Sequence, residues 1–253
     1  MTQHYDGSMT LTRIFGTLRP ATLALAIAIV PTDAQQLVAP NLTIAQVLDQ
    51  MQRHDQRQKK ELKHYIAVRH YLAEYRGYAK VISAKMDVEV TYNASSGKSF
   101  RILSQSGSTI LCDKVLKRAV DSEKEAAQDT SANALTTANY KFRLLSKENL
   151  NGRLAYIIEV VPLRESKFLY QGKIWVDAAD FAVVKIEAEP SKNPSFWITR
   201  TLILFNSAKT GDFWLPQRNH SETKVRIGGT AFLTIDYGIY QLVPETLHGP
   251  ASN

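Results

Sequence analysis

The stretch from Tyr170 to Glu189, YQGKIWVDAADFAVVKIEAE, decides the fold, because it predicts two short strands joined by a tight polar turn at 178–180. The second strand is predicted to alternate between an apolar and a polar face: Ala182, Val184, Ile186 and Ala188 against Lys185, Glu187 and Glu189. This period of two residues is typical of a sheet with one dry side and one wet side. The sequence therefore predicts an antiparallel sheet.

The same alternation recurs along the chain. Residues 65–104 are predicted to form an antiparallel meander, and Asn151-Gly152 marks a further hairpin. The final strand is predicted to place one apolar set on a single face: Ala231, Leu233, Ile235, Tyr237 and Ile239. Two stretches have helical periodicity instead, one capped by Thr43 and running over 44–63, the other over 108–128.

About ten strands and two principal helices predict an α+β fold. A twisted sheet of that size curls, so the helices are expected to cover its concave face and enclose an apolar interior. The expected architecture is therefore a curved antiparallel sheet with helices over its concave face, and an apolar pocket is the site that such a fold offers.

The N-terminal segment predicts export. Arg13 and Arg19 precede the apolar run 21–30, and a small-residue site ends at Ala34, as in a secretory signal peptide. Residues 1–34 are therefore predicted to be the signal peptide, with cleavage after Ala34; Met9 is an alternative start to Met1. A ten-residue apolar run is shorter than the 20 or so residues that span a bilayer.

Charge and composition favour a basic envelope protein of one domain. Removing residues 1–34 takes away two basic and two acidic residues, so the net charge stays at +7. No linker or internal repeat divides 35–253, which is therefore predicted to be a single domain. A basic balance is typical of proteins that bind nucleic acids, anionic membrane surfaces or acidic partners, and the signal peptide argues against nucleic acid. The single cysteine, Cys112, excludes an internal disulfide.

Two short motifs carry a resemblance to a known family. The WVD-turn pattern of 175–186 and the Gly-Asp-Phe-Trp-Leu-Pro run of 211–216, in this order of helices and strands, resemble the outer-membrane lipoprotein-sorting (LolA-like) family, with its LolB and RseB relatives. The resemblance covers most of 40–242. It implies an incomplete β-barrel, or half β-barrel, under a helical lid that holds acyl chains in an apolar cavity, and it implies no catalytic motif.

The residues themselves give no sign of catalysis or of a cofactor. The sequence has no Gly-x-Ser-x-Gly elbow, phosphate loop, dinucleotide-binding fingerprint, HExxH or CxxC motif. Asp177 and Asp180 are close in sequence, but Asp is common at turns for backbone reasons. The expectation is a protein that is not an enzyme and needs no metal or cofactor.

Large aromatic residues are the remaining candidates for a ligand-binding site: Phe196, Trp197, Trp214 and Trp175. Such side chains most often fill a core. The alternative is that they rim the pocket mouth, where a ring contacts an acyl chain and a polar edge contacts water.

Three functions are therefore weighed. The first is a periplasmic carrier or sensor that binds the acyl chains of lipids or lipoproteins and touches anionic membrane or envelope proteins transiently. The second is an envelope module that binds or regulates a protein. The third is a secreted hydrolase with dispersed catalytic residues. A continuous apolar cavity favours the first, an exposed apolar patch the second, and converging Ser, His and Asp the third.

Overall fold

The computed structural model describes residues 41–193, 195–226 and 228–242. The strands within them are β1 His64–Arg76, β2 Val81–Asn93, β3 Gly97–Gly107, β4 Tyr140–Leu150, β5 Arg153–Pro162, β6 Tyr170–Asp177, β7 Val183–Pro190, β8 Ile198–Thr210, β9 Phe213–Val225, β10 Thr230–Tyr237 and β11 Gln241–Leu242. The helices are α1 Ile44–Glu61, α2 Thr109–Leu111, α3 Lys117–Gln128 and α4 Thr130–Asn133, with a π-helical turn Cys112–Leu116 between α2 and α3. The predicted signal peptide lies outside the described residues.

The described strands form one antiparallel sheet that stays open. Its order is β3-β2-β1-β10-β9-β8-β7-β6-β5-β4, and β11 pairs with the start of β1. The edge strands β3 and β4 are joined in sequence by the segment that contains α2, α3 and α4. The predicted α+β class, a curved antiparallel sheet with helices covering its concave face, is confirmed. The concave face is called the inner face below.

One part of the core lies where the α2–α3 segment packs on β1, β2 and β10. Alternate residues of β1 are buried from Tyr65 to Ala73, and Met86 and Val88 of β2 lie on the same face. Leu116 and Val120 supply the helical side of this cluster. The period-two burial is what the sequence alternation predicts for the inner face of a sheet.

The second part of the core lies under α1. Val47 and Met51 of this helix pack with Tyr156, Ile158 and Ile174 on β5 and β6. The helix begins at a capping box, in which Thr43 and Gln46 each satisfy the other's backbone N–H. The predicted helix is confirmed, and it ends at Glu61.

A bulge in β7 overturns the predicted single apolar face of this strand. Trp175 pairs with Lys185, but Val176 pairs with Val183, so Val184 is an extra residue. An extra residue shifts the alternation of the strand. Ala182 and Val184 therefore pack with Trp175 on the outer face, whereas Ile186 lies opposite Ile174 on the inner face.

The predicted last strand also ends earlier than the sequence suggests. β10 stops at Tyr237, and the Gly238 N–H then donates to the Val68 carbonyl at 2.9 Å. Ile239 lies beyond this point and is exposed, so its predicted place on the apolar face is wrong. Tyr240 turns back toward the core instead, with its ring centroid 5.1 Å from that of Tyr65.

Candidate functional site

The inner face is half-buried between the two parts of the core. Strand register places Phe205 opposite Ile186 and Asn219, and Ile203 opposite Ser221. Residues directly opposite each other share a face. We call Ile203, Phe205, Asn219 and Ser221 the central strip; all four are intermediate in burial. The strip is a mixed apolar and polar surface, flanked by Ile186 and Ala188 on one side and by Leu233 and Ile235 on the other.

A cleft of about 940 Å³ opens between α1 and the segment 130–142. Its apolar lining consists of Ile44, Leu48, Met51, Leu135, Tyr140 and Phe142. Several of its polar residues, such as Asp49 and Lys141, are exposed at the surface. A volume of this size is within the range of small-molecule sites, which are mostly apolar with a few polar groups. We call it the α1 cleft.

The C-terminal half of α1 is fastened to the sheet by one polar side chain. The Gln58 amide accepts from the Trp214 backbone N–H and donates to the Trp214 carbonyl, both at 3.1 Å. One turn earlier on the same helix, His54 is buried. The helix is therefore held by apolar packing near its start and by backbone hydrogen bonds near its end.

An ion pair between a buried arginine and a half-buried glutamate fastens α3 on the other side of the inner face. Arg69 of β1 donates to Glu123 of α3 at 2.6 Å, and Lys98 donates to the same carboxylate at 2.8 Å. The guanidinium carbon also lies 4.6 Å from the centre of the Tyr237 ring. Burial opposes the charge of Arg69, but the Glu123 carboxylate outweighs it and raises the pKa of the guanidinium. Burial likewise opposes ionisation of Glu123, yet the charges of Lys98 and Arg69 hold its pKa below the usual value.

Two of the predicted aromatic residues lie together on the outer face. Trp175 packs with Ala182 and Val184, and Trp214 packs against this cluster. The Trp175 indole N–H donates to Glu148 at 3.2 Å, and that of Trp214 donates to Asp180 at 2.9 Å. Both indoles are therefore tied to carboxylates on the side away from the central strip.

The other two aromatic residues lie at the opposite end of the sheet. Phe196 and Trp197 are in the connection from β7 to β8, with ring centroids 5.6 Å apart in an edge-on contact. The structure thus brings Trp175 to Trp214 and Phe196 to Trp197, but separates the pairs. Ligand contact by these four side chains stays a prediction.

Asp177 and Asp180 serve the hairpin turn and the ion pairs around it. Asp177 accepts from the backbone N–H groups of Ala179 and Asp180 at 3.0 and 2.7 Å, as expected for turn chemistry. Arg153 pairs with both carboxylates. Burial raises the pKa of each carboxyl, but the hydrogen bonds from Arg153, Lys209 and the turn outweigh it and lower both values. Both groups are therefore ionised acceptors near neutral pH.

The described part of the chain has neither a cluster of metal ligands nor a helix that could span a membrane. In 41–193, 195–226 and 228–242, no three His, Cys, Asp or Glu side chains gather closely enough to hold a metal ion. Over the same residues, no helix has the length and hydrophobicity that crossing a membrane demands.

Sequence reasoning missed the α1 cleft and the Arg69 ion pair. The apolar stripe of α1 was visible, but sequence alone does not separate its buried residues, such as Val47, from Leu48 at the cleft. The signal for Arg69 was stronger: it occupies the position of a strand alternation where Ala67 and Tyr71 are apolar. A charge at such a position indicates a buried partner.

Comparisons with known proteins return distant structural matches. The chain matches no family model and no curated protein. It matches a DUF1329 family protein from Desulfovibrio piger with 14% identity and a TM-score of 0.39, over 80% of this chain and 94% of that one. A domain from Vibrio parahaemolyticus, described as outer-membrane lipoprotein-sorting, matches with 12% identity and a TM-score of 0.38, over 79% of this chain and 94% of that one. A LolA superfamily protein from Nitrosomonas europaea matches with 12% identity and a TM-score of 0.34, over 81% of this chain and 96% of that one.

The descriptions of the second and third of these matches name the family that the sequence resembles. With TM-scores between 0.34 and 0.39, they carry no argument about the ligand of this chain.

Proposed function

We propose that this protein binds the acyl chains of lipids or lipoproteins on the concave side of its sheet, as a carrier or sensor in the periplasm. The observation that supports the proposal is the α1 cleft, about 940 Å³ in volume, in which aliphatic and aromatic side chains lie beside polar ones such as Asp49 and Lys141. The predicted signal peptide 1–34 and a single domain over 35–253 belong to the same proposal.

The chemistry of the cleft suits an acyl chain. Leu48 and Met51 line the cleft on the helix side, and Leu135 and Phe142 line it on the other side. An acyl chain between them would be shielded from water on two of its sides. Each methylene removed from water contributes about 0.8 kcal/mol, so one long chain needs no enzyme-like polar site to be held. The exposed polar residues around the cleft would face the head group.

α1 is the lid in this proposal. Gln58 holds its C-terminal half through two neutral hydrogen bonds, each of which contributes about 1 kcal/mol net. Swinging the helix outward would uncover Val47 and Met51 and enlarge the apolar surface. Binding would then couple the position of α1 to the volume of the site, as in any two-state opening.

One structural neighbour is described as an outer-membrane lipoprotein-sorting domain, but its TM-score of 0.38 carries no argument for this chain. The proposal therefore depends on this chain's own residues. These residues can be tested directly, because an apolar residue of the cleft and an apolar residue of the outer face can each be replaced by the same charged residue.

The first test measures binding of a fluorescent fatty acid to the mature chain. Leu48→Glu and Leu135→Glu place a charge in the apolar lining, so each is expected to weaken binding about tenfold or more. Val161→Glu is the matched control, since Val161 is exposed at an outward-facing position of β5. Unchanged affinity in both cleft variants, or an equal loss in the control, would contradict the proposal.

A further inference from the structure

Three connections meet at the end of the sheet where β1 finishes. Their described residues are 77–80 between β1 and β2, 191–193 and 195–197 between β7 and β8, and 226 and 228–229 between β9 and β10. Each connection joins a different pair of strands, so their contact at one end is a property of the fold.

Hydrogen bonds join the described residues of these connections. The Arg226 backbone N–H donates to the Trp197 carbonyl at 2.9 Å, and the Arg226 guanidinium Nε donates to the Phe196 carbonyl at 2.6 Å. Tyr75 donates its hydroxyl to the Gly228 carbonyl at 2.6 Å. Gly228 has a φ of 92°, and a Cβ there would overlap the Tyr78 ring. The positive φ favours glycine at this turn.

The joined connections expose four large apolar side chains. Tyr78 is 95% exposed, Phe196 72%, Val81 65% and Trp197 56%. We call these four residues the end patch. Large aromatic rings in water are unfavourable unless they have a partner, and Trp and Tyr are enriched where one side is apolar and the other wet.

The surroundings of the end patch are exclusively basic in sequence. Residues 76–81, 191–198 and 224–230 contain five basic residues and no Asp or Glu: Arg76, Lys80, Lys192, Lys224 and Arg226. Arg76 lies 3.5 Å from Glu74 on the adjoining strand. Among the described residues, Lys80, Lys192 and Lys224 have no carboxylate partner. The Arg226 guanidinium carbon lies 4.5 Å from the centre of the Phe196 ring.

We propose that the end patch docks on the surface of an anionic phospholipid membrane. The aromatic rings and Val81 would enter the head-group region, while the five cations would lie against the phosphates. An anionic membrane attracts clustered basic side chains within about a Debye length, and aromatic side chains stabilise the contact at the interface. This proposal is independent of acyl binding in the α1 cleft, which lies on other residues.

The test is co-sedimentation of the full chain with vesicles. One set contains phosphatidylcholine alone, and the other contains about one third phosphatidylglycerol, which supplies the negative surface charge. The chain is expected to bind the second set, more weakly as salt is raised. Phe196→Ser with Trp197→Ser, and separately Lys192→Glu with Lys224→Glu, are each expected to weaken binding about tenfold or more.

A charge-matched control separates this patch from general basicity. Lys60→Glu with Lys63→Glu makes the same change in net charge, but at the end of the sheet where β1 begins. Ile102→Ser is the apolar control on β3, where Ile102 is exposed. The proposal predicts near wild-type binding for both controls. It is overturned by no binding to the anionic vesicles, by binding that survives both patch variants, or by an equal loss in the Lys60 and Lys63 control.

Discussion

At the scale of single residues, Arg69 shows how the inner face holds a charge. It is 1% exposed, yet its guanidinium meets Glu123 and lies over an aromatic ring. Taking a cation out of water costs several kcal/mol, so the pair is stable only while both partners and their hydrogen bonds are present. Arg69 therefore connects β1 to α3 more strongly than an exposed ion pair would.

Arg69→Met is expected to lower the free energy of unfolding by about 3 kcal/mol, because it removes a buried guanidinium with its hydrogen bonds and leaves the half-buried Glu123 carboxylate with Lys98 as its remaining partner. Chemical denaturation followed by circular dichroism measures the change. Arg101→Met is the control: Arg101 pairs with Glu89 but is exposed, so its loss is expected to cost less than about 1 kcal/mol. Equal losses in the two variants would contradict the account of a buried pair.

The pH dependence of stability follows from the lowered pKa of Glu123. A carboxyl whose pKa is lower in the folded state contributes stability above its ordinary value of 4.5, and this contribution is lost as the pH falls through the folded-state pKa. The wild type is therefore expected to exceed Glu123→Gln in stability at neutral pH, with the difference shrinking in acid. Denaturation at several pH values measures it. A difference that stays constant down to about pH 3 would contradict the account.

At this scale the sequence indicates which face of a strand a residue lies on, but it does not indicate which distant residue that side chain contacts. Alternation along β1 places residue 69 on the face of Ala67 and Tyr71, so the buried charge could have been found. That its partner is Glu123, 54 residues later, depends on how α3 packs. The bulge at Val184 could not be predicted from the sequence either, because residues 182–188 alternate regularly between apolar and polar.

At the scale of elements, α1 differs from the strands in how it is held. Its first half contributes Val47 and Met51 to the core. Its last turns are held to the sheet by the hydrogen bonds of Gln58, and Lys59 and Lys60 there are exposed to solvent. Local opening is easiest where few apolar contacts support the backbone. The C-terminal half of α1 is therefore the part of the helix expected to open first.

Gln58→Ala removes both hydrogen bonds to the Trp214 backbone, so amide exchange in the second half of α1 is expected to quicken by about tenfold. Hydrogen–deuterium exchange with mass spectrometry measures it. Gln56→Ala is the matched control, since Gln56 is an exposed residue of the same helix. Identical exchange in the two variants would show that Gln58 does not fasten the lid.

The elements themselves were largely predictable. Thr43 and Gln46 form the capping box that starts α1, and Asn151-Gly152 forms the turn between β4 and β5, with φ values of 53° and 83°. These signals are local, so no knowledge of the rest of the chain is needed. The end of β10 at Tyr237 was missed, because the apolar alternation continues to Ile239 after the strand has stopped.

At the scale of the whole molecule, contacts between distant segments decide which residues form a site. The sequence placed Phe196, Trp197, Trp214 and Trp175 in one group of candidates, and the fold divides them between two ends of the sheet. It also brings Tyr78 to Gly228, which no local pattern indicates. The α1 cleft likewise joins a helix at 44–59 to a segment at 130–142. Sequence periodicity predicts which face of a strand or helix a residue lies on, whereas contacts between distant segments follow from the order of the strands in the sheet.

The central claim is that the concave side of the sheet holds acyl chains. The most direct measurement is native mass spectrometry, with lipid extraction, on the chain purified from an envelope fraction. The account predicts co-purifying acyl species that are depleted in Leu48→Glu and retained in Val161→Glu. A bare protein mass that stays unchanged after incubation with phospholipid and with an acylated peptide would contradict it.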